Sequence, residues 1–206
     1  MERIIKKLKI ASKASEIDEI RDDIANLIPQ VAIMFDYDQK NYAHQYDLWM
    51  HCLQTVVNLP RNMDDDMLYL AALLHDIGKP ECQVAGTKEG DTNMHYYGHP
   101  KKSREIVETE ILPELSKKGV CFSYDDTQRL LYYVEYHDDH VSLKMKHVRR
   151  HTKLVSIDIF KKLMLLQVAD AKAHVQLPII KQRVEICTQL SGEYADELYK
   201  QILEGK

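Results

Sequence analysis

Hydrophobic residues recur every three or four positions along most of the chain, which is the spacing of amphipathic helices. Ile17, Ile20 and Ile24 show this spacing near the start, and Pro29 is predicted to divide residues 1–36 into two helical pieces. Further helices are predicted over residues 42–58, 63–76, 100–115, 127–137, 146–153, 158–174 and 178–203. The pattern predicts an all-α fold.

One long interval lacks the helical spacing. Residues 79–98 contain Pro80, Gly86, Gly90 and Gly98, which favour turns. At about 20 residues this segment is longer than most connections, and long loops are often functional. We expect a functional loop here, and a small hairpin is possible within it.

Composition and charge narrow the class of protein. The 206 residues include only seven Gly and six Pro, so turns are few. A net charge of −4 argues against bulk nucleic-acid binding. The four cysteines form no C-x-x-C pair, and charges interrupt the first ten residues, so neither a disulfide framework nor a membrane segment is expected. We therefore expect a cytoplasmic protein with reduced thiols.

The ten histidines are more than a core needs, and several fall on predicted helix faces. His44 and His51 share one face of the 42–58 helix, while His75 and Asp76 adjoin at the end of the next helix. His137 ends an apolar stripe in the 127–137 helix. Separate helices thus direct metal-capable side chains inward, as in metal sites built between the helices of a bundle.

Asp170 interrupts an otherwise hydrophobic stripe of the 158–174 helix. An unpaired buried carboxylate costs several kcal/mol, and no Lys or Arg shares that stripe. A metal ion would supply the missing positive charge. Imidazole and carboxylate ligands suit catalytic first-row dications, whereas structural zinc sites usually use Cys.

The order of these residues resembles a known family. His51, then His75-Asp76, then Asp170 match the H…HD…D signature of the HD-domain metal-dependent phosphohydrolases. The run at residues 70–80, LAALLHDIGKP, is a close match to the central motif. Tyr96-Tyr97-Gly98-His99 resembles the following segment in HD domains allied to bacterial tRNA nucleotidyltransferases. The resemblance covers about residues 41–175.

This resemblance implies an HD-domain helical bundle with helical extensions at both ends. We expect an N-terminal extension over residues 1–36, an HD metal-binding core over 37–175 and a C-terminal helix over 176–206 packed on the core. The oligomeric state stays open.

The resemblance also implies the metal ligands. His51, His75, Asp76 and Asp170 would bind one divalent ion, and members with two metals add histidines after the HD pair. His99 and His137 occupy suitable positions, so we expect two ions bridged by Asp76. The ligand types leave Fe, Mn, Co, Ni, Mg and Zn open.

The expected activity is hydrolysis of a phosphomonoester or phosphodiester by metal-bound hydroxide, with a nucleotide or another small phosphorylated molecule as substrate. Asp76 and Lys79 are assigned to catalysis. Five residues are predicted to contact the substrate: His44, Lys79, Lys144, Arg149 and Arg150. The remaining histidines are assigned to solvated loops (His95, His140) or to the surface or substrate rim (His147, His151, His174).

Departures from the motifs of particular family members narrow the predicted activity. No Gly-Tyr-Pro signature is present, Pro80-Glu81-Cys82 stands where guanosine tetraphosphate hydrolases carry a Glu-Asp pair, and the nucleotidyltransferase head is missing. A standalone hydrolase remains. Two alternatives stay open: a dinuclear iron oxygenase of the HD type, and a nonhydrolytic nucleotide-binding module.

Overall fold

The computed structural model describes residues 1–140 and 142–204 and confirms the all-α fold class. The last two residues of the predicted C-terminal extension lie outside the described residues. The helices are α1 (Glu2–Ile10), α2 (Ala14–Asp18), α3 (Arg21–Leu27), α4 (Leu48–Asn58), α5 (Asp66–Leu74), α6 (His99–Ile106), α7 (Leu112–Lys117), α8 (Tyr124–Tyr136), α9 (Met145–Thr152), α10 (Ile157–Ala173), α11 (Pro178–Ser191) and α12 (Ala195–Glu204). Short 3-10 turns lie at Pro29–Met34 and Pro80–Cys82.

The N-terminal region is divided more finely than the hydrophobic spacing predicts. Pro29 was predicted to divide this region into two helical pieces, but three short helices precede Pro29 and a 3-10 turn follows it. The first break has a local cause, because the carboxylate of Glu16 accepts hydrogen bonds from both the hydroxyl and the backbone amide of Ser12, at 2.7 and 3.3 Å. This arrangement resembles a capping box and starts a new helix.

Helix α4 begins six residues later than predicted. The Asp47 carboxylate accepts a hydrogen bond from the Met50 amide at 2.8 Å and caps the helix there. Residues 42–47 are irregular, so the prediction that His44 shares a helix face with His51 is wrong. His44 instead forms an antiparallel backbone bridge with His174 at the end of α10.

The other differences have equally local causes. Helix α6 passes through a π-helical turn (Val107–Ile111) into α7, and Pro113, which lacks an amide hydrogen, stands just beyond that turn. The predicted 178–203 helix is broken near Gly192 into α11 and α12.

The small hairpin considered within residues 79–98 is present. It consists of β1 (Val84–Ala85) and β2 (Met94–His95), paired antiparallel.

The hydrophobic core surrounds α5. Every residue of α5 from Met67 to Leu74 is buried, and α4, α8 and α10 pack around it. Ile17 from the N-terminal region and Leu190 from α11 belong to the same buried cluster. Among the described helices, none is long and apolar enough to cross a membrane. This packing places the inner ends of several helices around one point.

Candidate metal centre

The six side chains predicted as metal ligands lie together at that point, and all are buried. His51 comes from α4, His75 and Asp76 follow the last turn of α5, His99 begins α6, His137 follows α8 and Asp170 lies in α10. Four of the five contributing helices are core helices with extensive apolar packing. The packing therefore fixes the positions of the ligands relative to one another.

Asp76 divides the cluster into two groups, one at each carboxylate oxygen. Its Oδ2 lies 3.3 Å from His51 Nε2 and 3.2 Å from His75 Nε2. Asp170 completes this group, with its Oδ1 3.0 Å from His51 Nε2.

The second group surrounds the other oxygen of Asp76. Asp76 Oδ1 lies 3.0 Å from His99 Nε2 and 3.3 Å from His137 Nε2. The two imidazole Nε2 atoms are 3.2 Å apart. The single carboxylate of Asp76 thus faces both groups, which is the arrangement of a bridging ligand.

Three of the imidazoles are oriented in the same way. Nδ1 of His75, His99 and His137 each donates a hydrogen bond to the backbone carbonyl three residues earlier, at 2.9, 2.8 and 2.8 Å. For His75 and His137 this carbonyl belongs to the last turn of a helix, where carbonyls lack intrahelical partners. The proton on Nδ1 leaves the Nε2 lone pair free to bind a metal.

The free atoms fit a divalent ion. Within the described residues, His51 Nε2, His75 Nε2, Asp76 Oδ1 and Asp170 Oδ1 are buried without a hydrogen-bond partner. Buried polar atoms are nearly always satisfied, so four unsatisfied ones at one point require a cause. Ligand atoms of His51, His75 and Asp170 lie within 4.8 Å of one another, as do those of His75, Asp76 and His137. A cation at the first group would satisfy His51 Nε2, His75 Nε2 and Asp170 Oδ1, and a cation at the second group would satisfy Asp76 Oδ1.

Both carboxylates of the cluster have a pKa well below the usual range. Burial works to raise the pKa of Asp76, but His75 and Lys79 outweigh it and hold that pKa well below its usual range. Burial acts likewise on Asp170, and the neighbouring imidazoles of His174 and His51 hold its pKa well below the usual range. The centre therefore presents two negative charges to a cation.

Lys79 is buried beside Asp76 and does not point into solvent. Its Nζ lies 2.7 Å from Asp76 Oδ2 and donates a hydrogen bond to Gln39 Oε1 at 2.8 Å. Burial works to lower the pKa of Lys79, but Asp76 outweighs it, so the pKa is raised and the ammonium group keeps its charge. Lys79 thus brings a positive charge to the edge of the centre, where it was predicted to contact phosphate.

His44 and His174 form a histidine pair next to His51. Their ring centroids lie 4.5 Å apart, and His174 Nδ1 donates a hydrogen bond to the Asp170 carbonyl at 2.9 Å. His174 was assigned to the surface or substrate rim, and it lies half-buried at the rim of the centre. Its position four residues after Asp170, directly after the end of α10, was the signal in the sequence that could have placed it there.

An open cavity of about 310 Å³ leads to the centre. Its lining includes the predicted residues His44, Asp76, Lys79, His99, His137 and Asp170, together with His174, Asn41, Asp138 and the segment from His95 to Gly98. His95, assigned to a solvated loop, thus faces the cavity.

The predicted basic contacts lie elsewhere. Lys144, Arg149 and Arg150 are absent from the described residues that line the cavity. Arg149 donates a hydrogen bond to the Leu203 carbonyl at 2.7 Å, and Arg150 pairs with Asp139. Both guanidinium groups therefore have partners within the protein. The structure does not place them in the cavity, where they were predicted to contact the substrate.

His151, assigned with His147 and His174 to the surface or the substrate rim, lies instead in the protein interior and is not among the described residues that line the cavity. It is fully buried, and its ring stacks on Phe160 with centroids 4.7 Å apart. Its Nδ1 accepts a hydrogen bond from the Tyr132 hydroxyl and its Nε2 donates to Asp139, both at 2.9 Å. His151 therefore joins α9 to α8 and α10.

Arg183 is a residue of the site that the sequence did not reveal. It lies in α11 and donates hydrogen bonds to the His137 carbonyl at 2.7 Å and to the Asp138 carboxylate at 2.6 Å. These two bonds hold the turn that carries His137. No motif marks Arg183, because it acts through a backbone carbonyl from a helix beyond the signature residues.

The fold and the site define an all-α protein with a buried His/Asp centre suited to divalent metal. A family model for the HD domain matches residues 41–174, more than half of the chain. The chain belongs to the HD-domain family, within the superfamily of HD-domain metal-dependent phosphohydrolases. A search of curated proteins gives no match. The finer likeness to HD domains allied to tRNA nucleotidyltransferases stays a prediction.

Proposed function

We propose that this protein is a phosphohydrolase that uses two divalent ions to hydrolyse a small phosphate ester, a nucleotide. One observation carries the proposal: each oxygen of the Asp76 carboxylate faces its own group of buried imidazole nitrogens. Phosphatases and nucleases commonly use pairs of ions about 3.5–4 Å apart, and a bridging carboxylate suits such a pair.

The two groups of residues define two sites. His51, His75, Asp76 and Asp170 would hold one ion, and Asp76, His99 and His137 the other. Four imidazoles among the six ligands favour transition-metal dications over Mg²⁺, which prefers oxygen ligands. When bound, the ions supply Lewis-acid stabilisation of phosphoryl oxygens and lower the pKa of water to near neutrality.

The charges of the centre favour an anionic substrate. Two dications with Asp76 and Asp170 leave a net charge of about +2, and the Lys79 ammonium beside Asp76 adds to it. Lys79 orients Asp76 and lies where a phosphate oxygen entering the cavity would meet it. A cavity of about 310 Å³ lies at the small end of ligand pockets and suits a mononucleotide better than a polymer.

The activity test starts from protein stripped of metal and reloaded anaerobically with Mn²⁺, Co²⁺ or Fe²⁺. Phosphate release from nucleoside monophosphates and other phosphate esters is then measured for the wild type, for His75→Ala and for His140→Ala, an exposed histidine that serves as the control. We expect turnover in the wild type and in His140→Ala and none in His75→Ala. Full turnover in His75→Ala would contradict the proposal.

The same preparation separates the two alternatives. Iron-loaded protein that consumes oxygen with a substrate but leaves phosphate esters intact would favour the oxygenase. Metal-loaded protein that binds nucleotide without turnover under any of the three metals would favour the binding module.

A further inference from the structure

Two aromatic side chains stack on each other in the lining of the cavity. His95 belongs to β2, and Tyr97 lies two residues later, in the turn that leads into α6. Their ring planes are parallel to within 1°, with centroids 5.4 Å apart. Both residues line the cavity that leads to the metal centre. We call this pair the aromatic platform.

Tyr97 is open to solvent although its neighbour Tyr96 is buried. Tyr97 is 76% exposed, while the Tyr96 hydroxyl donates a hydrogen bond to the Gln39 carbonyl and accepts one from Gln83 Nε2 at 3.2 Å. These bonds fix the segment with Tyr96 inward. Tyr97 is thereby held outward, with its ring available to a ligand.

The His95 ring is held from the other side of the hairpin. Its Nε2 donates a hydrogen bond to Asp91 Oδ2 at 2.8 Å. Asp91 Oδ1 accepts from the backbone and side-chain nitrogens of Asn93 at 3.0 and 2.9 Å. A side chain at Gly86 would meet the Asp91 carboxylate at 2.5 Å, so glycine leaves the space that this carboxylate occupies. The platform is therefore ordered before a ligand arrives.

We propose that the aromatic platform stacks the base of a nucleotide whose phosphate lies at the metal centre. The proposal rests on the proposed function and names its substrate class. A flat, ordered ring loses little freedom on binding, which preserves the gain from stacking. Since every base has a π-face, stacking selects nucleotides over sugar phosphates with little preference between bases.

The test compares a nucleoside monophosphate with ribose 5-phosphate, which carries the same phosphoribose without the base. Stacking on an aromatic side chain is worth about 10-fold to 100-fold in affinity. We therefore expect the wild type to favour the nucleotide in kcat/KM by about that factor. Tyr97→Ala should abolish the preference by raising KM for the nucleotide alone, whereas Tyr97→Phe should keep it.

A matched control is Tyr124→Ala, because Tyr124 is also 76% exposed but lies at the start of α8, away from the described cavity lining. This variant should behave as the wild type. A nucleotide preference that is missing in the wild type, or that survives in Tyr97→Ala, would overturn the proposal.

Binding of the same two ligands to metal-loaded protein, measured by calorimetry, keeps this test separate from that of the hydrolase. Tighter binding of the nucleotide that depends on Tyr97, without turnover of either ligand, would support the platform and contradict the hydrolytic activity. Turnover of both ligands at equal efficiency would support the hydrolytic activity and contradict the aromatic platform.

Discussion

Among the described residues, histidine is buried beside aspartate at the metal centre and around His151, and the two places differ in what the ring nitrogens contact. At the metal centre, Nε2 of His51 and of His75 is buried without a hydrogen-bond partner in the described chain. Around His151, Tyr132 and Asp139 satisfy both ring nitrogens. Burial and a nearby carboxylate are common to both places. The unsatisfied lone pairs distinguish a centre that can take an ion from a network that holds helices together.

The difference also shows in the geometry of the carboxylates. Asp76 faces imidazoles with both oxygens, while Asp139 directs one oxygen to both His151 and Arg150. Arg150 supplies the positive charge that Asp139 needs within the protein. Asp76 has only Lys79 for the same purpose, and Asp170 has no direct cationic side-chain partner among the described residues other than the imidazoles. A bound ion would supply partners for the unpaired ligand atoms of the metal centre, whereas both ring nitrogens of His151 already have partners within the protein.

Replacing Asp76 should have the largest effect. Asp76→Ala removes an oxygen ligand from both groups, so we expect loss of both ions and a fall in kcat of about a thousand-fold or more, since ions supply several kcal/mol of transition-state stabilisation. Metal analysis and phosphate release on the same preparation check this. Asp64→Asn, an exposed acid, is the control. Full metal content in Asp76→Ala would show that Asp76 is not a metal ligand and would contradict the contrast with the network around His151.

Replacing His151 should change stability and leave the metal in place. His151→Ala removes a stacked ring and leaves the Tyr132 hydroxyl and part of the Asp139 carboxylate without partners. We expect a loss of about 2–4 kcal/mol in the free energy of unfolding. Urea unfolding, together with metal analysis, measures both effects. Tyr132→Phe is the milder variant, with an expected loss of about 1 kcal/mol.

Two results would contradict the prediction for His151. Loss of metal from folded His151→Ala would show that this network reaches the centre. An unchanged unfolding free energy in both variants would show that the network stabilises nothing.

Arg183 links the core to the C-terminal helices, and replacing it should weaken one ion. Arg183→Gln loosens the turn that carries His137, so we expect a 10-fold to 100-fold loss of affinity at the site of His99 and His137, as for other residues that orient ligands. Titration with Mn²⁺ measures each site. Lys181→Gln, an exposed residue of the same helix, should bind as the wild type. Equal affinities in both variants would exclude this positioning role.

The smallest effect is expected in the basic segment. Because Lys144 and Arg149 do not line the described cavity, Lys144→Gln and Arg149→Gln should change kcat/KM by at most about twofold at physiological salt, where exposed charges are screened beyond roughly 8 Å. A tenfold fall in either would show that the substrate extends to this segment.

The burial of three signature residues was predictable from their positions on predicted helices, because His75 and Asp76 end a helix of continuous apolar residues and Asp170 interrupts an apolar stripe. Their assignment as metal ligands, together with His99 and His137, came from the resemblance to the HD-domain family. His99 precedes Pro100, and His137 ends a stripe. The structure brings all of them to one point.

Other features depend on contacts between distant residues and gave no periodic signal. Asp47 caps the N-terminus of α4, so the helix begins at Leu48 and does not include His44. His151 is buried by Phe160, and its charged neighbours Arg149 and Arg150 made its helix resemble a solvated one. Arg183 acts across 46 positions of sequence on a backbone carbonyl. Such tertiary contacts are absent from any local pattern.

The most direct test of the metal centre is calorimetric titration of chelator-stripped protein with Mn²⁺, for the wild type and His99→Ala. We expect about two ions per chain in the wild type and about one in His99→Ala, because His99 faces only one oxygen of the Asp76 carboxylate. A wild type that binds no ion, with the buried His and Asp atoms left unpaired, would contradict this prediction.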